Sequence, residues 1–269
     1  MNDTTLFLHI PRTGGTTLRD IIESQYSKKT ILEISHFQEA VNQINNEVNI
    51  DIYDVIKGHF PFGVHKYLNG NYHYITFLRK PINRVKSIYR FAMKMKQHPD
   101  HSYTQKYSLN EYINSKRNIL LNNGQTRLIA GNYNSNNQAE YGTNPDWLFD
   151  QAMENINNHF LFIGITEEFN NSIVILKNLL GWKTPFYSIA NKTNTNKTNE
   201  ENKIADTTIN KFNQLDIRLF DHFRNKIKYM IEDNSELAHE IHDFDSKNSV
   251  MSKIAIKHRL NRFITKILK

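Results

Sequence analysis

One segment constrains the fold of this chain more than any other, because an apolar run stops there at a proline and gives way to glycines and threonines. The run covers residues 6–10 and is followed by Pro11-Arg12-Thr13-Gly14-Gly15-Thr16-Thr17. A short apolar run bounded by turn residues is typical of a buried strand. Thr16 or Thr17 is suited to cap a helix that reaches about Tyr26. The sequence therefore predicts a strand, a turn and a helix in immediate succession.

Such a turn is suited to binding an anion. Its glycines let the backbone approach closely, and the first N–H groups of the helix point at the bound group. Arg12 adds a permanent charge and a planar set of donors. The alternative is an ordinary strand-to-helix turn without a ligand. The Gly-x4-Gly-Lys-Ser/Thr pattern of nucleotide triphosphatases is missing, so the turn is not a loop of that class.

A second segment with similar properties begins at the strand predicted for residues 72–78, which is rich in aromatic and β-branched residues. Arg79 follows it directly, at the strand end where open α/β sheets bind ligands. Pro81 is suited to the first position of a helix that reaches about Lys96. Ser87 lies two turns into that helix, so Arg79 and Ser87 could hold a second phosphate. The alternative is a solvated basic start of a helix.

The rest of the chain alternates in the same way. Further strands are predicted at 55–60 and 160–165, and further helices at 109–121, 145–156, 167–180 and 209–231. Residues 99–107 are predicted as a loop. Alternating strands and helices predict an α/β fold with a central, mainly parallel sheet flanked by helices.

Charge and composition narrow the function classes. The chain has 269 residues, a formal net charge of +7 and a pI of about 9.3, which favours anionic partners without choosing among them. It has no cysteine, which excludes disulfides, thiolate metal sites and cysteine nucleophiles. The sequence shows neither a signal peptide nor an apolar stretch long enough to span a bilayer, so we expect a soluble, cytoplasmic protein.

Taken together, the two anion-binding segments resemble those of carbohydrate sulfotransferases related to heparan sulfate 2-O-sulfotransferase. The resemblance rests on Ile-Pro-Arg-Thr-Gly-Gly-Thr-Thr at 10–17 and Leu-Arg-Lys-Pro-Ile-Asn-Arg-Val-Lys-Ser-Ile-Tyr at 78–89. Segments 58–63 and 123–131 look similar to bacterial members of that group, and 164–169 and 215–220 are weaker similarities. The resemblance covers roughly residues 6–224.

The resemblance implies a P-loop-like nucleotide fold and a nucleotide co-substrate, 3′-phosphoadenosine 5′-phosphosulfate (PAPS). It assigns the phosphosulfate to Arg12, Thr13, Gly14, Gly15, Thr16 and Thr17, and the 3′-phosphate to Arg79 and Ser87. It also places Lys192 and Thr193 in a late segment that closes over the nucleotide. Arg12 is a departure, because the family usually has lysine there. Arginine keeps the charge that would stabilise the leaving group but is a poor proton donor.

His59 is the candidate general base, because the family places a histidine in a Gly-His segment between the two phosphate motifs. A neutral imidazole near pH 7 suits removal of the acceptor proton. The alternative is a hydrogen-bonded loop histidine without a catalytic role. Gln125 and Arg127 serve either acceptor binding or helix packing, and the sequence does not separate these roles. No cluster of carboxylates or histidines indicates a metal.

The last residues form a separate candidate unit. In residues 252–269, basic side chains alternate with apolar ones at helical spacing. Such a helix is suited to an anionic membrane surface or a polyanion; the alternative is a terminal helix packed on the domain with a solvated basic face. We therefore predict a sulfotransferase domain at 1–248 and a basic amphipathic helix at 249–269, with peripheral membrane contact as one role.

The sequence thus predicts an enzyme that transfers the sulfuryl group of PAPS to a hydroxyl, with a glycan as the expected acceptor and without metal or nucleic acid. Two alternatives remain open at this point. A nucleotide-dependent phosphotransferase would need a Mg²⁺-binding Ser/Thr after a lysine, and that pair is missing. A non-enzymatic protein that binds nucleic acid or anionic lipid would explain the charge but not the paired loop motifs.

Overall fold

A computed structural model describes residues 3–34, 50–132, 139–187 and 200–267, with the backbone alone at 200–202 and 252–267. Its strands are β1 (Thr4–Leu8), β2 (Ile31–Ile34), β3 (Val55–Gly58), β4 (Tyr72–Leu78) and β5 (Phe160–Ile165). They form one five-stranded sheet in the order β2-β3-β1-β4-β5. Every neighbouring pair is parallel, and Leu6 of the central strand lies between Ile56 and Tyr74. The predicted fold class, a parallel sheet flanked by helices, is confirmed.

The α-helices that the structure describes fill the connections between strands and the C-terminal third of the chain. They are α1 (Gly15–Gln25), α2 (Pro81–Lys94), α3 (His101–Thr104), α4 (Leu109–Asn114), α5 (Gly124–Ile129), α6 (Asp146–His159), α7 (Phe169–Leu180), α8 (Glu200–Phe212), α9 (Gln214–Glu232) and α10 (Ser235–Ile267). Helix α2 begins at Pro81 as predicted, and α7 ends at Gly181 in a left-handed conformation. None of these helices is both long and apolar enough to span a membrane.

Several elements of the structure differ from the prediction. The helix predicted for 109–121 ends at Asn114, because Lys116 adopts a left-handed φ of 57°, and a short 3₁₀ turn, Ile119–Leu121, follows. The loop predicted for 99–107 contains the short helix α3. Strand β2 was not predicted, because its four residues are too few to show a periodic pattern.

The long helix predicted for 209–231 is divided in two at Asn213. The side chain of Asn213 is fully buried and donates to the carbonyls of Leu121 and Ile209, each at 2.9 Å. Its amide oxygen accepts from the backbone N–H of Asn123 at 2.9 Å. These hydrogen bonds satisfy the buried side-chain amide of Asn213 and hold the residue outside a regular helix. Helix α8 therefore ends before Asn213, and α9 begins after it.

A single large core connects the sheet with the helices. It contains residues of all five strands, the inner face of α1 and the apolar side chains of α7 and α9. A smaller cluster joins α2, α4 and α8 around Val85, Tyr112 and Ile209. The large core includes residues at the carboxyl ends of β1 and β4, and the smaller cluster includes residues of α2. The residues at the carboxyl ends of these strands are therefore held by tightly packed elements.

Helix α10 packs on the domain through its first half. Ile241 and Phe244 are buried, and Glu240 forms an ion pair with Lys177 and accepts from the side-chain amide of Asn178 at 2.6 Å. The segment predicted as a separate helix, 249–269, is the continuation of α10 as far as Ile267. Its assignment as a separate unit stays a prediction.

Candidate functional site

The sheet brings the three sequence segments of interest to one edge. Strand β1 lies between β3 and β4, and the three strands run in the same direction. Their carboxyl ends lead into the loop at 11–14, into His59 and into Arg79, respectively. Ligands of open parallel sheets bind in the crevice beyond these ends. The fold therefore juxtaposes residues far apart in sequence; Arg12 and Arg79, for example, are in contact although 67 positions separate them.

The loop after β1 makes a sharp turn that only a few backbone conformations allow. Arg12 and Gly14 are both left-handed, with φ of 72° and 82°. Gly14 occupies the N-cap position of α1 without a side-chain cap, so the predicted cap by Thr16 or Thr17 is wrong; both threonines are already helical. The N-terminus of α1 therefore presents backbone N–H groups without a side-chain cap, at the positive end of the helix dipole.

Thr13 stabilises the turn rather than facing outwards. It is buried, and its hydroxyl donates to the carbonyl of Ile10 at 2.8 Å. Its own carbonyl accepts from the hydroxyl of Thr166, which also donates to the carbonyl of Leu78 at 2.9 Å. Thr166 follows β5 and thereby ties the loop to the end of β4. The similarity noted at 164–169 was the sequence signal for this contact.

Gly15 is required by its neighbour His9. A Cβ at Gly15 would lie 1.6 Å from the Nε2 atom of His9, which is far inside van der Waals contact. The His9 ring also stacks on the ring of His59, with centroids 4.2 Å apart and planes 30° apart. Burial, helped by the charges of His59 and of Arg19, lowers the pKa of His9 to about 3. His9 is therefore neutral at physiological pH and holds its neighbours by packing.

His59 is exposed at the end of β3 and is oriented by a hydrogen bond. Its Nδ1 atom lies 2.9 Å from the carbonyl oxygen of His9. A carbonyl can only accept, so Nδ1 carries the proton of the neutral ring. In this tautomer Nε2 has the lone pair, which is the form that takes a proton from a hydroxyl.

The side chain of Arg12 contacts α2. Its Nε donates to the hydroxyl of Ser87 at 3.0 Å, and its guanidinium lies over the ring of Phe91, 4.8 Å from the centroid. Ser87 is 3% exposed, so its hydroxyl is fixed by the helix that carries it. The sequence assigned Arg12 to the phosphosulfate together with 13–17; the structure brings its side chain to Ser87 instead.

Arg79 joins the same group from the end of β4. One terminal nitrogen, Nη1, donates to the carbonyl of Arg12 at 3.1 Å. Burial lowers the pKa of both arginines; the charge of Arg79 acts in the same direction on Arg12, whereas the charge of Glu167 acts in the opposite direction on Arg79. The structure thus brings together Arg12, Arg79 and Ser87, which the sequence had placed in two separate segments.

Gln125 holds the backbone of Arg79. Its side-chain oxygen accepts from the N–H of Arg79 at 2.9 Å, and its side-chain nitrogen donates to the Arg79 carbonyl at 3.0 Å. Gln125 and Arg127 are fully buried, and Arg127 donates to the carbonyl and side chain of Asn122. The sequence left acceptor binding and helix packing open for these two residues, and the structure places both side chains for packing.

A buried ion pair lies against the loop after β1 and the start of α5. Arg84 is 0% exposed and donates to the carbonyls of Pro11 and Leu120, at 3.2 and 2.9 Å. It faces Asp216 at 3.9 Å, and burial lowers the pKa of Arg84 to about 10. The carboxylate of Asp216 accepts from the N–H groups of Gln125 and Thr126, which start α5. Both residues lie in segments of the resemblance, 78–89 and 215–220, but the sequence assigned them no role because only the fold brings them together.

Glu167 adds a negative group at the rim of the site. It accepts from the backbone N–H of Lys80 at 3.2 Å and from the side chain of Asn83 at 3.0 Å, at the start of α2. Lys192 and Thr193, the predicted late contacts to the nucleotide, lie outside the described residues. In the part of the chain that the structure describes, no group of three or more His, Cys, Asp or Glu side chains could hold a metal ion.

Comparison with known proteins gives a family. The family model for galactose-3-O-sulfotransferase matches residues 5–264. No curated protein matches the chain. Among solved structures, mouse sulfotransferase SULT7A1 complexed with PAP is 15% identical with a TM-score of 0.37, and the match covers 77% of this chain. This chain spans 64% of the length of the mouse protein.

Proposed function

The chain belongs to the galactose-3-O-sulfotransferase family, and on that basis we propose that it transfers the sulfuryl group of PAPS to a hydroxyl of a carbohydrate. The observation that carries the proposal is the convergence of Arg79, Ser87 and Arg12 with the loop after β1 and with His59 at one sheet edge. A nucleotide with phosphates at two positions needs two anion sites on one surface, and these segments supply them.

The two ends of the nucleotide differ in what they would contact. The 5′-phosphosulfate would lie on the loop at the N-terminus of α1, with the N–H groups of Thr13, Gly14, Gly15 and Thr16 and the hydroxyl of Thr17 as donors. The 3′-phosphate would lie against Arg79 and Ser87. Arg12 contributes its charge to the same cofactor. Lys192 and Thr193, which the resemblance places over the nucleotide, remain part of the proposal on sequence alone.

His59 acts as the general base in this proposal. The Nε2 atom takes the proton of the acceptor hydroxyl as its oxygen attacks sulfur. The new bond joins that oxygen to sulfur, and the bond between sulfur and the 5′-phosphate oxygen breaks with its electron pair. 3′-Phosphoadenosine 5′-phosphate (PAP) leaves. The neutral tautomer fixed by the His9 carbonyl supports this role.

Backbone N–H groups and arginine guanidiniums are suited to the charge that develops on the leaving phosphate. Fixed donors in a partly dry site stabilise such charge more than water does, because they need no reorganisation when it forms. The scheme requires no metal ion.

The acceptor is proposed from the family. Its description names galactose, so we propose a galactose-containing glycan as the first acceptor class to test. The sequence resemblance to heparan sulfate 2-O-sulfotransferase and its bacterial relatives makes sulfated or uronic-acid glycans the second. A cytoplasmic location, with contact of 249–269 to an anionic membrane, stays a prediction.

A thermal-shift comparison of nucleotides tests the proposed cofactor. PAP should raise the melting temperature, while ATP at the same concentration and ionic strength should raise it little, because ATP lacks the 3′-phosphate. A melting temperature that neither nucleotide raises would contradict the proposal. Transfer of label from radiolabelled PAPS to a panel of glycans then identifies the acceptor.

A further inference from the structure

The loop after β1 has an aromatic neighbour to which the proposed function assigns no role. A Cβ at Gly14 would lie 3.4 Å from the Cε2 atom of Phe169, so this ring borders the glycine at the N-cap of α1. Phe169 is the first residue of α7, and its ring also packs on that of Phe77 in β4, with centroids 5.3 Å apart. The loop at the N-terminus of α1 therefore rests on Phe169 on one side.

A second ring, that of Tyr187, packs against Phe169. The two rings meet edge to face, with centroids 5.0 Å apart and planes 70° apart. Such a pair stabilises beyond the area that it buries, because the positive edge of one ring meets the negative face of the other. Tyr187 lies in the segment after α7 and is only partly buried, so its position depends on its other contacts.

Those other contacts come from α10. The backbone N–H of Tyr187 donates to the side-chain oxygen of Asn248 at 2.9 Å, and its ring packs on the buried Phe244, with centroids 6.5 Å apart. The hydroxyl of Tyr187 donates to the side-chain oxygen of Asn170, and the side-chain nitrogen of that residue donates to Asp245 of α10. The first half of α10 therefore holds both the backbone and the side chain of Tyr187.

The preceding residue, Phe186, offers a comparison within the same segment. Its ring also stacks on Phe244, with centroids 6.0 Å apart and planes 3° apart. In the part of the chain that the structure describes, Phe186 has no ring contact with Phe169. Both neighbouring aromatic residues therefore pack on α10, but only Tyr187 connects α10 with the residue that borders the loop.

We propose that Phe169 and Tyr187 are positioning residues for the loop after β1, and that α10 fixes this loop through them. Helix α10 contacts Tyr187, Tyr187 contacts Phe169, and Phe169 borders Gly14. Left-handed backbone such as that of Arg12 persists only where the surrounding structure holds it. The proposal rests on the proposed function, because the supported loop is the one that would hold the 5′-phosphosulfate.

Hydrogen exchange tests the support without any ligand. The amides of Thr17 and Leu18 both donate to the carbonyl of Gly14, at 3.1 and 3.3 Å, so they are released when the turn at this glycine opens. In Tyr187→Ala, these two reporter amides should exchange about 3- to 10-fold faster than in wild type, as measured by NMR. Tyr187→Phe keeps the ring and loses only the bond to Asn170, so its reporter amides should exchange within about 2-fold of the wild-type rate.

Phe186→Ala is the matched control, because it removes the neighbouring ring that packs on the same Phe244. Its reporter amides should keep their wild-type rates, even where the free energy of unfolding falls as much as in Tyr187→Ala. Unaltered reporter exchange in Tyr187→Ala, or an equal increase in Phe186→Ala, would overturn the proposal. If Tyr187→Ala does not fold, Tyr187→Leu takes its place under the same criteria, since leucine keeps apolar volume but lacks the edge-to-face contact.

Nucleotide affinity tests the consequence for binding. PAP and adenosine 5′-monophosphate (AMP) share the 5′-phosphate and differ only in the 3′-phosphate. Calorimetric titration of Tyr187→Ala should show both nucleotides weakened by the same factor, about 3- to 10-fold, whereas Phe186→Ala should bind both as wild type does. Faster reporter exchange with unaltered affinity for both nucleotides would overturn the role in binding. If wild type binds neither nucleotide, the proposed function fails, while the exchange rates still decide whether α10 supports the loop.

Discussion

The Nε atom of Arg12 donates to the hydroxyl of Ser87 across 3.0 Å, although 75 positions separate the two residues in the chain. Arg12 belongs to the loop after the central strand and Ser87 to the helix after β4. The bond therefore joins the two anion-binding segments into one surface. It also directs the side chain of the loop arginine towards α2.

Ser87→Ala should weaken PAP binding. The change removes the acceptor for Arg12 and a donor for the proposed 3′-phosphate, and a hydrogen bond to a charged group is worth enough to cost about 10-fold in affinity. AMP should bind as it does to wild type. Titration calorimetry measures both. Ser102→Ala, at an exposed serine of α3, is the control and should change neither affinity; a Ser87→Ala variant with unaltered PAP affinity would argue against the two-segment site.

His59→Ala should abolish turnover while the nucleotide still binds. A positioned general base contributes about 10²- to 10⁴-fold, so kcat should fall by that factor with PAP affinity within about 2-fold of wild type. The assay is label transfer from PAPS at saturating acceptor. His239→Ala, at an exposed histidine of α10, should retain full activity. Loss of PAP binding in His59→Ala would show that His59 holds the nucleotide instead.

Much of this arrangement could be predicted from the sequence. The paired motifs, Pro81 at a helix start and the strands at 72–78 and 160–165 all depend on local patterns, and the structure has both strands with the same bounds. The direction of the Arg12 side chain could not be predicted, because it depends on a left-handed φ and on a ring four residues beyond Ser87.

The supporting contacts were also beyond the sequence. Asp216 and Gln125 are polar residues in ordinary helical sequence, and their burial follows from the packing of α5 against α9 and the end of β4. Asn213 divides a pattern that has a continuous helical period. In both cases a long-range hydrogen bond decides the local structure, and no spacing of residues indicates it.

Gly15→Ala should destabilise the protein and disturb the loop. The new Cβ would lie 1.6 Å from Nε2 of His9, and overpacking of this kind costs about 1–3 kcal/mol in the free energy of unfolding. Urea unfolding measures the loss. Gly70→Ala is the control, because its Cβ would approach only Asp51, at 3.9 Å. The double variant His9→Ala/Gly15→Ala should recover part of the stability; a Gly15→Ala variant as stable as wild type would contradict the described contact.

Acidification should destabilise the fold through His9. The unfolded histidine takes up a proton near pH 6.5, whereas burial lowers the pKa of the folded residue to about 3. Below pH 6.5 the unfolded state therefore binds more protons, and stability from this group is lost as the pH falls from 6.5 towards 3. Between about pH 7.5 and about pH 5.5 the loss should be about 1.4 kcal/mol.

His9→Asn removes the titrating group and is the comparison for this effect. Over the same pH range, the free energy of unfolding of wild type should fall by about 1.4 kcal/mol more than that of the variant. Urea unfolding at both pH values gives the difference between the two slopes. Identical pH dependence of wild type and variant would show that His9 is protonated in the folded protein.

A crystal structure of the complex with PAP tests the central claim most directly, because the claim is about which residues meet which phosphate. We expect the 3′-phosphate to lie against the guanidinium of Arg79 and beside the hydroxyl of Ser87. We expect the 5′-phosphate to lie on the backbone N–H groups at the start of α1, with Nε2 of His59 facing the position of the departed sulfuryl group. A nucleotide bound at another edge of the sheet, or bound here with its two phosphates exchanged, would contradict the account.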